Sequence, residues 1–370
     1  MSELRRIVIK IGSSSLNHPQ GGLDDQAIDK IVKVIAGIQK QGVECILVSS
    51  GAVAAGVGKL GLAAKPKDVA GKQAIAAIGQ GVLIEKYALA LEQHGLVGAQ
   101  VLLSRLDLAE ASRYKNAQNT LERLLRFQVI PIINENDTVA VEELCFGDND
   151  RLSALVAGLV HADLLVILTD VDGLYSANPK KDPEAKLIED VTDISQVIGV
   201  AGGAGTSLGT GGMVTKIKAA EISTRFGIGM FLLHSNRMKE LPNLIKGNRP
   251  VGTYFYPSAH RLVGKKRWIA YAGLSEGSIF IDKGAVKALT QGKSLLARGI
   301  IGIDGIWERK ELVRINNPDG IEIARGLAEL SSEELELVRG KHSEEMLTIL
   351  SDLDGEEVVH RDNMTLMTDC

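Results

Sequence analysis

Residues 164–168 read Leu-Leu-Val-Ile-Leu, an uninterrupted apolar run near the middle of the chain. A strand that is apolar at every position is buried on both faces, which is typical of a parallel sheet enclosed by helices. Helical patterns lie on both sides of this run, at 149–160 and at 212–226. Strands that alternate with helices predict an α/β domain with a mostly parallel sheet.

The same alternation of short β-branched runs and helical stretches extends from the N-terminus to about residue 260. We therefore expect a three-layer αβα sandwich over residues 1–260. Its predicted strands are Arg6–Ile11, Val43–Val48, Val97–Leu103, Val129–Ile133, Asp163–Leu168 and Ile228–Leu233. Its predicted helices are Asp24–Gln41, Lys67–His94, Ser112–Phe127, Asn149–Val160 and Gly212–Phe226.

The pattern changes after Pro257, where short alternating segments replace the helices. Residues 261–275 are the predicted linker, and residues 276–354 the predicted second domain, which is small and β-rich. Within it, the sequence Asn-Pro-Asp-Gly at 317–320 predicts a tight turn between two strands. Residues 355–370 are the predicted C-terminal tail.

Composition excludes several classes of protein. The 370 residues have a net charge of −4 and 4% aromatic residues, which gives no sign of a nucleic-acid partner. The three cysteines, Cys45, Cys145 and Cys370, lie far apart in the sequence and match neither a zinc-binding pattern nor a disulfide framework. We expect them to be reduced thiols. The N-terminus lacks the apolar core of a signal peptide, and no apolar run approaches about 20 residues. We expect a cytoplasmic protein without a membrane span.

Polar residues follow several of the predicted strands, at the edge of a parallel sheet where ligands collect. Each group has an ordinary alternative: a solvated lysine, a serine that caps a helix, a polar surface loop or a tight turn. The groups are Lys10-Ile11-Gly12-Ser13, Ser49-Ser50-Gly51-Ala52, Asn134-Glu135-Asn136-Asp137, Gly147-Asp148-Asn149-Asp150 and Thr169-Asp170-Val171-Asp172.

A glycine-rich run precedes the last predicted helix of the domain and reads Gly-Thr-Gly-Gly-Met-Val-Thr-Lys over residues 209–216. Glycines let backbone N–H groups approach an anion closely, and a helix N-terminus adds positive potential. Lys216 can bring an ammonium group to the same anion, so the run suits a polyphosphate. It lacks the spacing of a Walker A loop, and a glycine-rich surface loop remains the alternative.

Together, these motifs resemble the amino acid kinase family. They are spread over residues 6–226 in the order that the family has, and six such motifs in one chain are far more specific than any one. The segment from about 276 to 354 resembles a PUA domain. In the stretch His234-Ser235-Asn236-Arg237 the chain departs from the family, whose members usually have a small glycine-containing turn there.

The resemblance is to members that use ATP to phosphorylate the side-chain carboxylate of L-glutamate, which yields glutamyl 5-phosphate, the first step toward proline. It implies Mg²⁺ with ATP, feedback inhibition by proline, and a homo-oligomer that is a dimer or a tetramer. No metal ligand is assigned to a protein side chain.

Site residues follow from the resemblance position by position. It implies that Lys10 and Lys216 flank the transferred phosphoryl group while Asp150 holds both lysines. The implied substrate-binding residues are Ser50, Gly51, Asn134, Asp137, Asp148 and Asn149. The implied ATP-binding residues are Lys10, Gly12, Ser13, Thr169, Asp170, Thr210, Gly211, Gly212, Met213, Val214, Thr215 and Lys216.

Two other functions stay open from the sequence. Another member of the family would act on aspartate, N-acetylglutamate, UMP or carbamate. An RNA-binding protein is the second alternative, because PUA domains often contact RNA. Residues 275–370 carry 11 Lys and Arg against 19 Asp and Glu, a net charge of −8 that disfavours nucleic acid.

Overall fold

A computed structural model describes residues 4–18, 21–139, 149–179, 181–197, 212–259, 261–353 and 355–367. The chain divides into two compact units, Met1–Leu108 with Ser112–Arg261 and Ala109–Ala111 with Leu262–Cys370. Each unit has a hydrophobic core of its own. The domain limits drawn from the sequence stay predictions.

The first unit alternates strands and helices along the chain. Its strands are β1 (Arg6–Ile11), β2 (Glu44–Ser49), β3 (Gly98–Leu103), β4 (Ile130–Glu135), β5 (Leu164–Thr169), β6 (Leu174–Tyr175), β7 (Leu187–Ile188), β8 (Asp190–Val191), β9 (Gly229–His234) and β10 (Thr253–Phe255). Its helices are α1 (Asp25–Gln39), α2 (Ala52–Leu60), α3 (Val69–Glu92), α4 (Arg105–Ala109), α5 (Ala111–Arg126), α6 (Asn149–Leu159), α7 (Met213–Arg225) and α8 (Leu241–Ile245).

Eight of the described strands form one sheet in the order β3-β4-β2-β1-β5-β9-β10-β8. From β3 to β9 every neighbouring pair is parallel, and β10 runs antiparallel to β9. All six residues of β5 are buried, as its apolar sequence predicts. The predicted mostly parallel sheet is confirmed.

Helices cover both faces of this sheet. On one face, alternate strand residues such as Ile9, Leu47 and Val166 share a core cluster with residues of α1, α3 and α8. On the other face, α6 packs against β1, β2 and β5, and α7 packs against β9. Alternation of side chains along each strand supplies apolar contacts to both helix layers. The αβα sandwich follows directly.

Two glycines allow α2 and α3 to approach within backbone contact. A Cβ atom at Gly79 of α3 would lie 1.7 Å from the carbonyl oxygen of Ala52, and one at Gly56 of α2 would lie 2.1 Å from that of Ile75. No side chain larger than hydrogen fits at either position. The N-terminus of α2, which lines a cavity at the edge of the sheet, is therefore fixed against α3.

The second unit is built on a mixed sheet of five strands. Trp307 lies in its core and donates from Nε1 to the carbonyl oxygen of Leu330 at 3.0 Å. The predicted turn is confirmed, since Gly320 N donates to Asn317 O at 3.0 Å. The strands are β11 (Gly277–Ile281), β12 (Leu295–Leu296), β13 (Ile300–Gly305), β14 (Leu312–Asn316), β15 (Glu322–Leu327), β16 (Glu357–Val359) and β17 (Met364–Leu366), and the helices are α9 (Lys283–Thr290), α10 (Ser332–Val338) and α11 (Ser343–Ile349). The five strands of the mixed sheet lie in the order β13-β11-β14-β15-β17.

Part of the predicted linker is helical. Lys265–Arg267 form a short α-helical turn, and Trp268–Ala272 continue as a π-helix. Ile269 is fully buried in a small cluster with Leu312 and Leu327 of the second unit. Apolar burial of this kind ties the segment to the β-rich unit.

By length and composition alone, α3 is the one described helix that could cross a membrane, with a mean hydropathy of 1.4 over an 18-residue window. That test is also passed by core helices of soluble proteins. Tyr87 and Leu91 of α3 are buried in the core of the first unit. Burial of these side chains in the core explains why α3 is apolar.

Candidate active site

Five neighbouring parallel strands end at the same edge of the sheet. Their last residues are Ile11 of β1, Ser49 of β2, Glu135 of β4, Thr169 of β5 and His234 of β9. In open α/β sheets this edge is where ligands bind. The described residues of the polar groups and of the glycine-rich run follow these strands or begin the helices next to them.

A buried ion-pair cluster lies at this edge. Asp150 is in the first turn of α6 and is fully buried. Its Oδ1 lies 2.5 Å from Nζ of Lys10 on β1, and its Oδ2 lies 3.3 Å from Nζ of Lys216 on α7. Both lysine side chains are 8% exposed. Two cations from distant parts of the sequence thus converge on a single carboxylate.

Thr215 adds a hydrogen bond to the same carboxylate, since its Oγ1 donates to Asp150 Oδ2 at 2.8 Å. Burial by itself raises the pKa of Asp150, but the charges of Lys10 and Lys216, together with hydrogen bonds from Lys10 and Thr215, outweigh it. The pKa of Asp150 therefore lies below its usual value. Asp150 is an anion at neutral pH, and the cluster of two lysines and one aspartate carries a net positive charge.

Beside the cluster is a small cavity of about 210 Å³. Pockets for drug-sized ligands measure roughly 300–1,000 Å³, so this cavity suits a smaller metabolite. Its wall combines the N-terminus of α2 with polar groups from the strand ends. The lining residues are Ser13, Ser50, Gly51, Ala52, Val53, Ala54, Asn134, Glu135, Asp137 and Asn149.

Asn149 organises the cavity wall through its side-chain amide. Its Nδ2 is 2.9 Å from both Ser50 Oγ and Asn134 Oδ1, and 3.2 Å from the carbonyl oxygen of Ser49. Asn134 Oδ1 also accepts from the backbone N–H of Glu135 at 2.9 Å. The amide of Asn149 therefore joins the end of β2 to the end of β4.

Groups of opposite polarity line this cavity. The first N–H groups of α2 provide positive potential that favours a carboxylate. Asp137 provides a carboxylate whose pKa is raised, chiefly because it is partly buried. An anionic side chain of this kind suits an ammonium group. The cavity therefore has the polarity to hold a zwitterion such as an amino acid.

Residues expected to bind ATP occupy three places. Gly12 and Ser13 follow β1, and Ser13 lines the small cavity. Thr169 is buried at the end of β5 and pairs in register with His234, whereas Asp170 is exposed. The remaining described residues begin α7, with Gly212 as the N-cap, and they are Met213, Val214, Thr215 and Lys216. Asp148, Thr210 and Gly211 lie outside the described residues.

Several features of the site were not anticipated. Thr215 was expected at ATP, but its hydroxyl also bonds Asp150. Ser13, one of the expected ATP-binding residues, lines the small cavity, and so does Glu135, which was not among the predicted site residues. Such contacts depend on which loops fold together, and strand register alone does not reveal them. Among the described residues, no group of three or more His, Cys, Asp or Glu side chains is placed to hold a metal ion.

The fold and these loops define the class of the protein. The model of the amino acid kinase family matches residues 5–233, and that of the PUA domain matches residues 277–350. The chain belongs to the amino acid kinase family. Its fold is similar to that of carbamate kinase from Giardia lamblia bound to AMP-PNP, with a TM-score of 0.51, 16% identity and coverage of 70% of this chain and 100% of that one.

Within the family, the chain is similar to proteins named glutamate 5-kinase. It is 82% identical to glutamate 5-kinase of Desulfitobacterium hafniense (strain Y51), over 99% of this chain and 100% of that protein. It is 49% identical to glutamate 5-kinase of Trichlorobacter lovleyi, over 100% of this chain and 98% of that protein. The similarity extends over both units.

Proposed function

We propose that this protein transfers the γ-phosphoryl group of ATP to the side-chain carboxylate of L-glutamate. The product is L-glutamyl 5-phosphate, and the reaction is the first step of proline biosynthesis. Identity of 82% over the whole chain to a glutamate 5-kinase supports the activity. The observation that carries the mechanism is the convergence of Lys10 and Lys216 on Asp150.

The chemistry needs no general base. A side-chain carboxyl of glutamate has a pKa near 4.3 and is already ionised at neutral pH. The barrier is the repulsion between this anion and the negatively charged γ-phosphate. Catalysis therefore requires positioning and neutralisation of charge during in-line transfer. Two buried ammonium groups meet that requirement.

We assign Lys10 and Lys216 to the transferred phosphoryl group. An ammonium group on a long side chain is mobile, and a fixed carboxylate between two of them holds both in place. Asp150 has this role, supported by its burial and by its bonds to both lysines. The net positive charge of the cluster then favours the phosphate.

The small cavity is the proposed binding site for glutamate. Its amino acid-sized volume and its opposite charges support this assignment. Asp137 faces the ammonium group, and the N-terminus of α2 faces a carboxylate. Hydrogen bonds come from the remaining proposed substrate residues, which are Ser50, Gly51, Asn134, Asp148 and Asn149.

ATP is proposed to lie along the N-terminus of α7 and the end of β5. The helix N-terminus from Gly212 suits phosphate groups, and Thr169 with Asp170 lies toward the nucleoside. Mg²⁺ is proposed to enter with ATP, bound mainly by phosphate oxygens. The contacts of Asp150 support this, because both of its oxygens are already engaged by Lys10, Thr215 and Lys216. Mg²⁺ also prefers phosphates and water to sites built from protein ligands alone.

Three further properties belong to the proposal. Proline is the feedback inhibitor, the protein is a dimer or tetramer of identical chains, and it acts in the cytoplasm. The acidic charge of residues 275–370 supports a role of the PUA domain other than nucleic-acid binding. A regulatory or oligomer-supporting role is the one we favour for it.

A hydroxamate assay tests the activity. An acyl phosphate reacts with hydroxylamine to give a coloured hydroxamate, whereas the nucleotide product of a UMP kinase does not. We expect ATP-dependent hydroxamate with glutamate, reduced by added proline. Preferential product with aspartate or N-acetylglutamate would assign the protein to another activity of the family. A salt-sensitive, sub-micromolar gel shift with RNA would instead support the RNA-binding alternative.

A further inference from the structure

Tyr87 of α3 is buried behind the wall of the small cavity. It is 1% exposed and belongs to the core of the first unit. Its hydroxyl lies 2.9 Å from the hydroxyl of Ser49, the last residue of β2, which is itself fully buried. A buried polar pair in an apolar core has a cost in desolvation that a phenylalanine would avoid. The pair therefore calls for an explanation beyond packing.

The direction of this hydrogen bond follows from the next one. Ser49 Oγ also lies 3.0 Å from the carbonyl oxygen of Ser50, which can only accept. A serine hydroxyl has a single proton, and Ser49 uses it for that carbonyl. Tyr87 must then donate to Ser49. Burial raises the pKa of Tyr87, so its hydroxyl stays protonated and remains a donor at neutral pH.

The chain of bonds from Tyr87 to Ser49 to the Ser50 carbonyl fixes one peptide unit. In a trans peptide the C=O and the following N–H point in opposite directions. Because the Ser50 oxygen is held by the hydroxyl of buried Ser49, the N–H of Gly51 points away from that hydroxyl. Gly51 lines the cavity and is the N-cap of α2, with a φ of +111°.

We propose that Tyr87 is a positioning residue for the amino acid substrate. Through Ser49, it holds the Ser50–Gly51 peptide so that the N–H of Gly51 faces the bound glutamate. The inference rests on the glutamate cavity proposed above. Tyr87 does not line the glutamate cavity itself and acts on it through Ser49.

Tyr87→Phe tests the inference, because it removes one oxygen atom and keeps the aromatic ring. Loss of a neutral hydrogen bond predicts a three- to tenfold rise in the KM for glutamate, by about the usual energy of one such bond. The KM for ATP and kcat should stay within about twofold of the wild-type values. Tyr254→Phe is the matched control, since Tyr254 is also buried in the first unit but lies on β10.

A double-mutant cycle adds a readout that a loss of packing would not give. Ser49→Ala breaks the same chain of bonds, so the double variant with Tyr87→Phe should bind glutamate no more weakly than Ser49→Ala alone. An unchanged KM in Tyr87→Phe, or additive effects in the double variant, would overturn the inference.

Asn149→Ala separates this inference from the cavity assignment. Asn149 touches the cavity directly. If Asn149→Ala raises the KM for glutamate while Tyr87→Phe does not, only the positioning role fails. If neither variant changes the KM, the proposed cavity is also wrong. Each KM is measured well below the melting temperature of the variant concerned.

Discussion

Lys10 and Lys216 come from opposite ends of the first domain, yet their ammonium groups flank the two oxygens of one carboxylate. The distances to Asp150 are 2.5 Å and 3.3 Å. Without Asp150, two buried cations so close together would repel each other. The aspartate offsets one of the two charges and leaves a positive site, which a phosphate can complete.

Removal of either lysine should reduce turnover far more than substrate binding. We expect Lys10→Ala and Lys216→Ala to lower kcat by roughly 10²–10³-fold, the usual loss for a group that stabilises transition-state charge. The KM for glutamate should change much less. Steady-state kinetics checks this, with Lys218→Ala as control because Lys218 is exposed on the same helix. Near-normal turnover in Lys216→Ala would remove Lys216 from the proposed role.

Asp150→Asn should destabilise the free enzyme by about 3–5 kcal/mol, because it leaves two buried cations without their anion. A non-hydrolysable ATP analogue brings phosphates to the same cations, so it should raise the melting temperature of Asp150→Asn more than that of the wild type. Thermal unfolding with and without the analogue measures both effects. An equal shift in the two proteins would argue against phosphate binding at this cluster.

Asn149→Ala and Asp137→Ala should raise the KM for glutamate and affect the KM for ATP little. Both residues line the cavity, and Asn149 also joins the ends of β2 and β4. Interactions that hold the substrate equally in the ground and transition states appear in KM. Initial-rate measurements at varied glutamate and saturating ATP provide the test. A KM that stays the same in both variants would mean that the cavity is misassigned.

The sequence predicted most elements of the first domain within one or two residues. β1 was predicted at Arg6–Ile11 and is found there, and α6 was predicted one residue too long. These elements are long and buried, so their hydrophobic period is clear. The short strands β6, β7, β8 and β10 and the five-residue helices α4 and α8 were missed, because elements of two to five residues are too short to show a period.

In the second unit the prediction was less complete. The β-rich character of this unit and its tight turn were predicted, whereas the helices α9, α10 and α11 were not. A helix of seven or eight residues has only about two turns. Its hydrophobic period is therefore too short to be recognised among neighbouring strands. For the site, each motif follows a predicted parallel strand, and this position correctly predicted that the loops lie at one edge of the sheet. The hydrogen-bond partners of Thr215 and Asn149 depend on side-chain geometry that a sequence does not contain.

Glutamate binding should weaken in mild acid. The pKa of Asp137 is raised by burial, so its carboxylate is charged only above that raised pKa and is lost as the pH falls through it. We expect the KM for glutamate to rise as the pH falls, and to begin to rise at a higher pH than the titration of an ordinary carboxylate would give. Asp137→Asn should show weaker binding and a flatter profile. The same slope in both proteins would assign the titration to another group.

Two neighbouring glycines of α3 should respond to alanine in opposite ways. At Gly79 a Cβ would lie 1.7 Å from the carbonyl oxygen of Ala52, so Gly79→Ala must push α2 away. Overpacking of this kind costs about 1–3 kcal/mol, and displacement of the α2 N-terminus should also raise the KM for glutamate. At Gly81 a Cβ meets no atom within 4 Å. Gly81→Ala should therefore stabilise the helix by about 0.5–1 kcal/mol with unchanged kinetics. Denaturant unfolding of the two variants measures the contrast, and equal effects would mean that backbone contact does not set the distance between α2 and α3.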